Sequence, residues 1–359
     1  MRIELQKRSQ PSSLMIWLSP VLAITLTLIT GALMFSMLGF NPAKALYVYF
    51  IAPLLDLWSL QELVVKASPL ILIAVGLSIC YRSNNWNIGA EGQFTVGAIA
   101  GSILPVVFYQ WESPLTFPLM IAMGAVGGAL FGAIPAILKN KFGANEILTS
   151  LMLTYVALLA LDYLVRGPWK NPEGFNFPES RLFNDAAQAP SLIADGRMHV
   201  GALFAVVAVI AVFILFSRTL KGFEIRVLGA TPRAGNFAGF SKERMILFAF
   251  MTSGALAGIA GTVEVAGPIG QLIPTISPGY GFTAIIVAFL GRLNPVGILF
   301  AGLLLALSYL GGEAAQIDLG ISEKTSKAFQ GILLFYVLAC DTLIYYRIKL
   351  VSSKNKEAV

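Results

Sequence analysis

The stretch Leu14–Leu38, LMIWLSPVLAITLTLITGALMFSML, is 25 consecutive residues without a charge. About 20 apolar residues suffice to cross a bilayer as a helix. A secretory signal has an apolar region of about 7–15 residues followed by a small-residue cleavage site. This run is longer, and Arg2, Lys7 and Arg8 precede it, so it reads as a retained first membrane span. Backbone in lipid must satisfy its own hydrogen bonds, which makes such a span a helix.

Similar runs recur along the chain. Spans are expected near 14–38, 62–81, 91–109, 114–138, 147–165, 199–217, 246–265, 280–291, 295–311 and 326–346. The eighth is short and the ninth marginal, so 280–311 reads as two spans or as one irregular pair. Residues 45–60, broken by Pro53 and Asp56, read as an interfacial helix. Of the 359 residues 57% are hydrophobic and 12% charged, with a mean hydropathy of +0.76, whereas soluble chains carry about 25% charged residues. The fold class expected is therefore all-α: a polytopic helical membrane protein with about ten transmembrane helices.

The net charge of +6 reflects loop orientation rather than nucleic-acid binding. Ten spans place both ends on one side. Of the 25 Lys and Arg, 17 fall in segments on that side, so both tails, 1–13 and 347–359, are expected to be cytoplasmic. The opposite side carries the loop 166–198, with Pro168, Pro172, Pro178 and Pro190, which reads as a cover for the outer mouth or a receiver for a soluble partner. Residues 218–245 form the main cytoplasmic loop. Within it Phe223, Val227 and Ala230 fall on one helical face, with Glu224 and Arg226 displaced from it. A short amphipathic helix ended by Gly229 and Pro232 suits a protein-docking surface or a lipid interface.

Between the second and third spans lies Asn87-Ile88-Gly89-Ala90-Glu91-Gly92-Gln93. A carboxylate is costly to place at membrane depth, and glycine permits bends and close backbone approach. Glu91, Asn87 and Gln93 are thus candidates for a translocation pathway. Glu91 can also be read as stabilising the N-terminus of its own span. Glu264, followed by Gly267, Pro268, Gly270 and Pro274, marks irregular backbone and a candidate outer gate. Gly124, Gly128 and Gly132, with Gly97/Gly101 and Gly254/Gly258, form small-xxx-small stripes that allow close helix contact. Cys80 and Cys340 lie near the ends of apolar runs and read as packing residues rather than a disulfide framework. His199, the only histidine, starts the sixth span and by itself makes neither a metal site nor a proton relay. There is no phosphate loop, paired Cys/His spacing, GxSxG elbow or HExxH. No catalytic residues, metal or cofactor are expected in this chain.

These residues resemble the permease subunits of bacterial ABC importers of the branched-chain amino acid, ribose and nucleoside class, most closely the longer permease of nucleoside (simple-sugar-type) systems. The similarity is carried by Asn87–Gln93, Asn145–Met152, the Gly229–Gly239 loop and Gly279–Gly291 before Asn294-Pro295. The resemblance implies an inner-membrane permease domain over 14–346 that works with a second permease subunit, two cytoplasmic ATPase subunits that bind ATP, and an extracytoplasmic substrate-binding protein. It also implies that Glu224, Arg226, Gly229, Ala230, Pro232 and Gly239 belong to the loop that engages the ATPase, and that the solute is a nucleoside moved by alternating access. A proton- or sodium-coupled secondary transporter of a small polar solute is the alternative.

Overall fold

Ser12, Asn41, Asp56, Asn145, Thr219, Ser241 and Ser322 each accept a backbone N–H from the first turn of the helix that follows. Such caps satisfy amides that have no partner within the helix. In the computed structural model, residues 2–8, 10, 12–193 and 196–351 are described. The helices are α1 (Ser13–Met37), α2 (Pro42–Phe50), α3 (Leu57–Arg82), α4 (Ala90–Gly101), α5 (Ile103–Val107), α6 (Thr116–Phe142), α7 (Glu146–Arg166), α8 (Gly201–Arg218), α9 (Leu220–Ala230), α10 (Pro232–Phe237), α11 (Lys242–Glu264), α12 (Tyr280–Leu290), α13 (Pro295–Leu319) and α14 (Glu323–Tyr345).

Among the described residues, eight helices are long and apolar enough to cross a membrane. The third expected span is instead the broken pair α4–α5, and the eighth is the 11-residue α12. Residues 45–60 do not form one interfacial helix. Asn41 starts α2 earlier, a short 3₁₀ turn covers Ala52–Leu54, and Asp56 starts α3 at Leu57.

The chain divides into two compact units. The larger, Leu55–Leu307, centres on α3, α4, α6 and α11. Its glycine stripes meet one another. A Cβ at Gly258 would run into the Gly124 carbonyl, one at Gly254 into the Gly128 carbonyl, and one at Gly97 into the Gly258 backbone. The Thr262 hydroxyl ties the seam by reaching the carbonyls of Gly97 (3.2 Å) and Gly258 (3.0 Å). In lipid there is little hydrophobic drive between helices, so this van der Waals approach and these hydrogen bonds hold the bundle. Cys80 is buried in α3 and unpaired.

The second unit combines 1–54 with 308–359. Here α1 lies along α14, and the Thr30 and Tyr336 hydroxyls are 2.8 Å apart. Tyr49 of α2 is buried between Phe35 and Phe329, each ring centroid 5.7 Å away. The two tails are not separate. Strand β1 (Arg2–Lys7) pairs antiparallel with β2 (Tyr346–Val351), Arg2 opposite Val351 and Lys7 opposite Tyr346. Apart from this two-stranded sheet, the regular elements among the described residues are helical, as the sequence reading expects. Residues 352–359 lie outside the described residues.

Candidate functional site

Beyond Arg82 the chain turns back between the helices. Asn84, at φ 56°, makes the turn, and the Tyr81 hydroxyl donates to the Asn87 carbonyl at 3.0 Å. The Asn87 side chain is fully buried. Its Nδ2 donates to Gln93 Oε1 (2.9 Å) and Ser253 Oγ (3.2 Å), while its Oδ1 accepts from Gly89 N–H (3.0 Å) and Gln93 Nε2 (3.1 Å). Ser253 stands 11 residues into α11 from Lys242, about 16 Å at 1.5 Å per residue. The stretch 83–89 is therefore non-helical backbone deep in the bundle, tolerated because protein surrounds it. The Ser150 hydroxyl accepts from Ile88 N–H (3.2 Å), and Lys139 ties Asn85 (2.9 Å) to Glu146 (2.5 Å).

Glu91 opens α4, but its bonds run elsewhere. Its Oε2 accepts from Gly281 N–H at 2.6 Å, and Ser277 also bonds its carboxyl. The Ser277 hydroxyl in turn accepts from the N–H groups of Gly279 (3.0 Å) and Tyr280 (2.9 Å). Glu91 thus stands in the first turn of its own helix and also caps α12, 190 residues away in sequence. The two N-termini touch closely enough that a Cβ on Gly281 would collide with the Glu91 backbone. Both ends carry partial positive charge, and the carboxylate sits at their meeting point. Discontinuous helices whose N-termini face a shared point are a recurrent transporter device.

Glu264 also reaches the start of α12. Its carboxyl is buried, hydrogen-bonded to the Tyr280 side chain, with Lys66 and Glu62 of α3 beside it. Glu62 pairs with Arg197 at 2.5 Å. After Glu264, α11 widens into a π-helical turn, Val265–Ile269, and stops at Gly270 (φ 74°). The loop 166–198 is strapped to this turn through main-chain bonds: Ser180 N–H to Leu272 O (2.9 Å), Phe183 N–H to Gly270 O (2.8 Å) and Ala189 N–H to Ala266 O (2.8 Å). His199, two residues ahead of α8, is buried, and its Nδ1 accepts from Gly201 N–H at 3.2 Å. Burial pushes its pKa down to about 4, so it is neutral at pH 7. Among the described residues no cluster of His, Cys, Asp and Glu could hold a metal ion.

The four candidates therefore fall into two groups. Glu91 and Glu264 meet at the first turn of α12, whereas Asn87 and Gln93 form a closed amide pair. Ser277, Gly279 and Tyr280 complete the first group. The sequence reading used Gly279 and Tyr280 only as part of the family resemblance and passed over Ser277, although Ser277-Pro278-Gly279 directly before an apolar run is a legible helix start.

The basic loop forms α9 and α10, meeting at Thr231 and Pro232. Helix α9 ends where expected, and it is seated by a face other than the Phe223/Val227/Ala230 one. Gly222, Ile225 and Leu228 are buried, while Phe223 and Ala230 face outward. Gly222 lies on the Leu215 carbonyl and Gly229 on the Arg82 carbonyl, so the glycines decide which face can approach. Glu224 pairs with Lys221 at 2.7 Å. Arg226, Ala230 and Gly239 (φ 85°) are exposed and Pro232 half-buried. Phe237 is 97% exposed, and Phe223, 48% exposed, meets Phe240 edge-to-face at 6.1 Å. This leaves an aromatic and basic surface open to a partner.

Comparison with known proteins agrees with this architecture. Residues 59–338 match the family described as branched-chain amino acid transport system / permease component. The chain is 35% identical to a glucose ABC transporter permease protein of Haloferax volcanii, over 97% of this chain and 94% of that one. It is 30% identical to a nucleoside ABC transporter permease protein of Lactococcus lactis, covering 89% and 90%. It is 28% identical to a guanosine ABC transporter permease protein of Bacillus subtilis, covering 95% and 97%. In ABC transporters ATP is hydrolysed by a partner ATPase, and the permease is a non-catalytic subunit. A multi-pass helical bundle with interrupted helices and a family match over most of its length, this chain belongs to the ABC transporter permease family of the branched-chain amino acid transport type.

Proposed function

We propose that this chain forms half of the translocation pathway of an ATP-driven importer for sugar-containing solutes, with nucleosides and glucose as the first candidates. The observation that carries this reading is full-length similarity to permeases named for glucose, nucleosides and guanosine. A second permease subunit completes the pathway, two ATPase subunits bind the exposed face of α9 and α10, and an extracytoplasmic binding protein delivers solute to the side of the loop 166–198. With 17 of the 25 basic residues on the side of both tails, the tails and the α9–α10 loop lie in the cytoplasm. The first turn of α12, with Glu91 and Glu264, borders the pathway. Asn87 and Gln93 shape it from behind. Glu224, Arg226, Gly229, Ala230, Pro232 and Gly239 form or support the surface through which ATPase closure moves the bundle between inward- and outward-facing arrangements.

The test is uptake of labelled uridine, guanosine and glucose in a strain lacking this chain, with and without re-expression and with ATP depleted. Loss, rescue and collapse without ATP are expected for at least one of the three. Glu91→Ala should lower the rescued uptake while the subunits still co-purify. Rescued uptake that survives ATP depletion and follows a proton or sodium gradient would refute the ATP-driven reading.

A further inference from the structure

A cavity of about 220 Å³ lies beside the α9–α10 elbow, and the transport reading gives it no task. Its walls are Ser83, Asn84 and Asn85 of the re-entrant stretch, Lys139, Leu228 and Pro232 of the elbow, and Lys242, Met245 and Ile246 of α11. At roughly 30 Å³ per water in the liquid, it has room for about seven waters. That is enough for a tetrahedral oxyanion with part of its hydration.

The charged groups around it are unequally engaged. Lys139 is committed, donating to Asn85 Oδ1 at 2.9 Å and pairing with Glu146 at 2.5 Å. The Asn85 amide is filled too, its Nδ2 donating to the Ser83 carbonyl and hydroxyl, both at 2.9 Å. Lys242, the first residue of α11, is exposed and makes no hydrogen bond or ion pair among the described residues. The exposed Asn84 side chain likewise has no partner among them, and its backbone is held in the left-handed region at φ 56°. Asparagine enters that region more readily than most residues, and such positions often serve function. Arg82 and Arg226 repel one another where α3 and α9 meet close by. Glu146, turned toward Lys139, offsets only one of these cations.

The geometry points to a phosphate-binding site in this cavity, with Lys242 as the point charge and the Asn84 amide as a second donor. Lysine binds phosphate as a compact charge, and two unengaged donors on separate walls suit an oxygen-rich tetrahedral group. The group can come from an anionic phospholipid headgroup or from a soluble phosphate. Seated there, it bridges the start of α11 to the stretch leading to Asn87. Its binding stands apart from the transport reading, and only an effect on coupling rests on that reading.

The test uses the full chain with its co-purifying subunits in neutral detergent. Equilibrium dialysis with labelled orthophosphate reads the soluble source. Native mass spectrometry with phosphatidylglycerol against phosphatidylcholine reads the headgroup source. Wild type should bind at least one of the two phosphates, and Lys242→Gln and Asn84→Asp should each weaken that binding at least tenfold. Both side chains are exposed, so an unchanged gel-filtration profile is expected and confirms that the variants are folded. Binding in dialysis alone identifies a soluble ligand, and preference for phosphatidylglycerol alone identifies lipid. Failure to bind either, or wild-type affinity in Lys242→Gln, overturns the site. Failure of the transport reading would show in uptake and leave these measurements unchanged.

Discussion

Replacing Asn87 by alanine removes four hydrogen bonds from the centre of the larger unit: two to Gln93, one to Ser253 and one from Gly89 N–H. Side-chain hydrogen bonds inside membrane proteins average about 0.6 kcal/mol each. The loss is therefore about 2–3 kcal/mol, or roughly 50-fold in the unfolding equilibrium. The two bonds exchanged with Gln93 predict a coupling of about 1 kcal/mol between the positions. The double variant Asn87→Ala/Gln93→Leu should therefore cost less than the sum of the single changes, because removing both partners leaves fewer buried polar groups unsatisfied. The assay is reversible unfolding of the four proteins in mixed micelles, followed by tryptophan fluorescence. A single-variant cost below about 0.5 kcal/mol, or additivity within about 0.3 kcal/mol, would refute the argument that this amide pair holds the fold. A stable Asn87→Ala protein that no longer transports would place Asn87 in contact with the solute instead.

Two further predictions test other parts of the molecule. Glu224→Lys breaks the pair with Lys221, and Gly229→Pro puts a ring where α9 touches the Arg82 carbonyl. Both variants should insert normally yet hydrolyse ATP without matching uptake, and wild-type uptake in both would count against the coupling role. His199 has a folded pKa of about 4, below the free value near 6.5. The stability from keeping it neutral is complete above pH 6.5 and is lost progressively as pH falls toward 4, by up to about 3 kcal/mol. His199→Gln should flatten that part of the pH–stability curve, and an unchanged slope would show that other groups dominate it.

The eight membrane-length helices were legible because each carries a long apolar run, and α1, α3, α7, α11 and α14 also have a capping residue at the start. The glycine stripes were legible as contact surfaces for the same reason. What they contact was not: that Gly124 meets Gly258, or that Glu91 caps α12, depends on pairs more than 130 residues apart. Periodicity carries no such information. What seats α9 was not legible: Phe223, Val227 and Ala230 mark an amphipathic face, but nothing in that pattern says that Gly222 and Gly229 bring the backbone onto the Leu215 and Arg82 carbonyls and leave Phe223 and Ala230 open. The depth of Asn87 was hidden because a polar segment beside an Arg normally marks an interface, and here the chain re-enters the bundle.

The pairing of β1 with β2 has a consequence for the order in which the molecule can be completed. Lys7 is made about 340 residues before its partner Tyr346, which at about 5–20 residues per second is roughly 17–70 s of translation. The larger unit is one uninterrupted stretch, 55–307, and can mature while synthesis continues. The smaller unit cannot. Its first helix must wait in the lipid, without the helix it will lie against, until α14 has been inserted. A premature stop before α14 would therefore strand α1 as an unpaired segment open to quality-control proteases, even though most of the bundle had already been built.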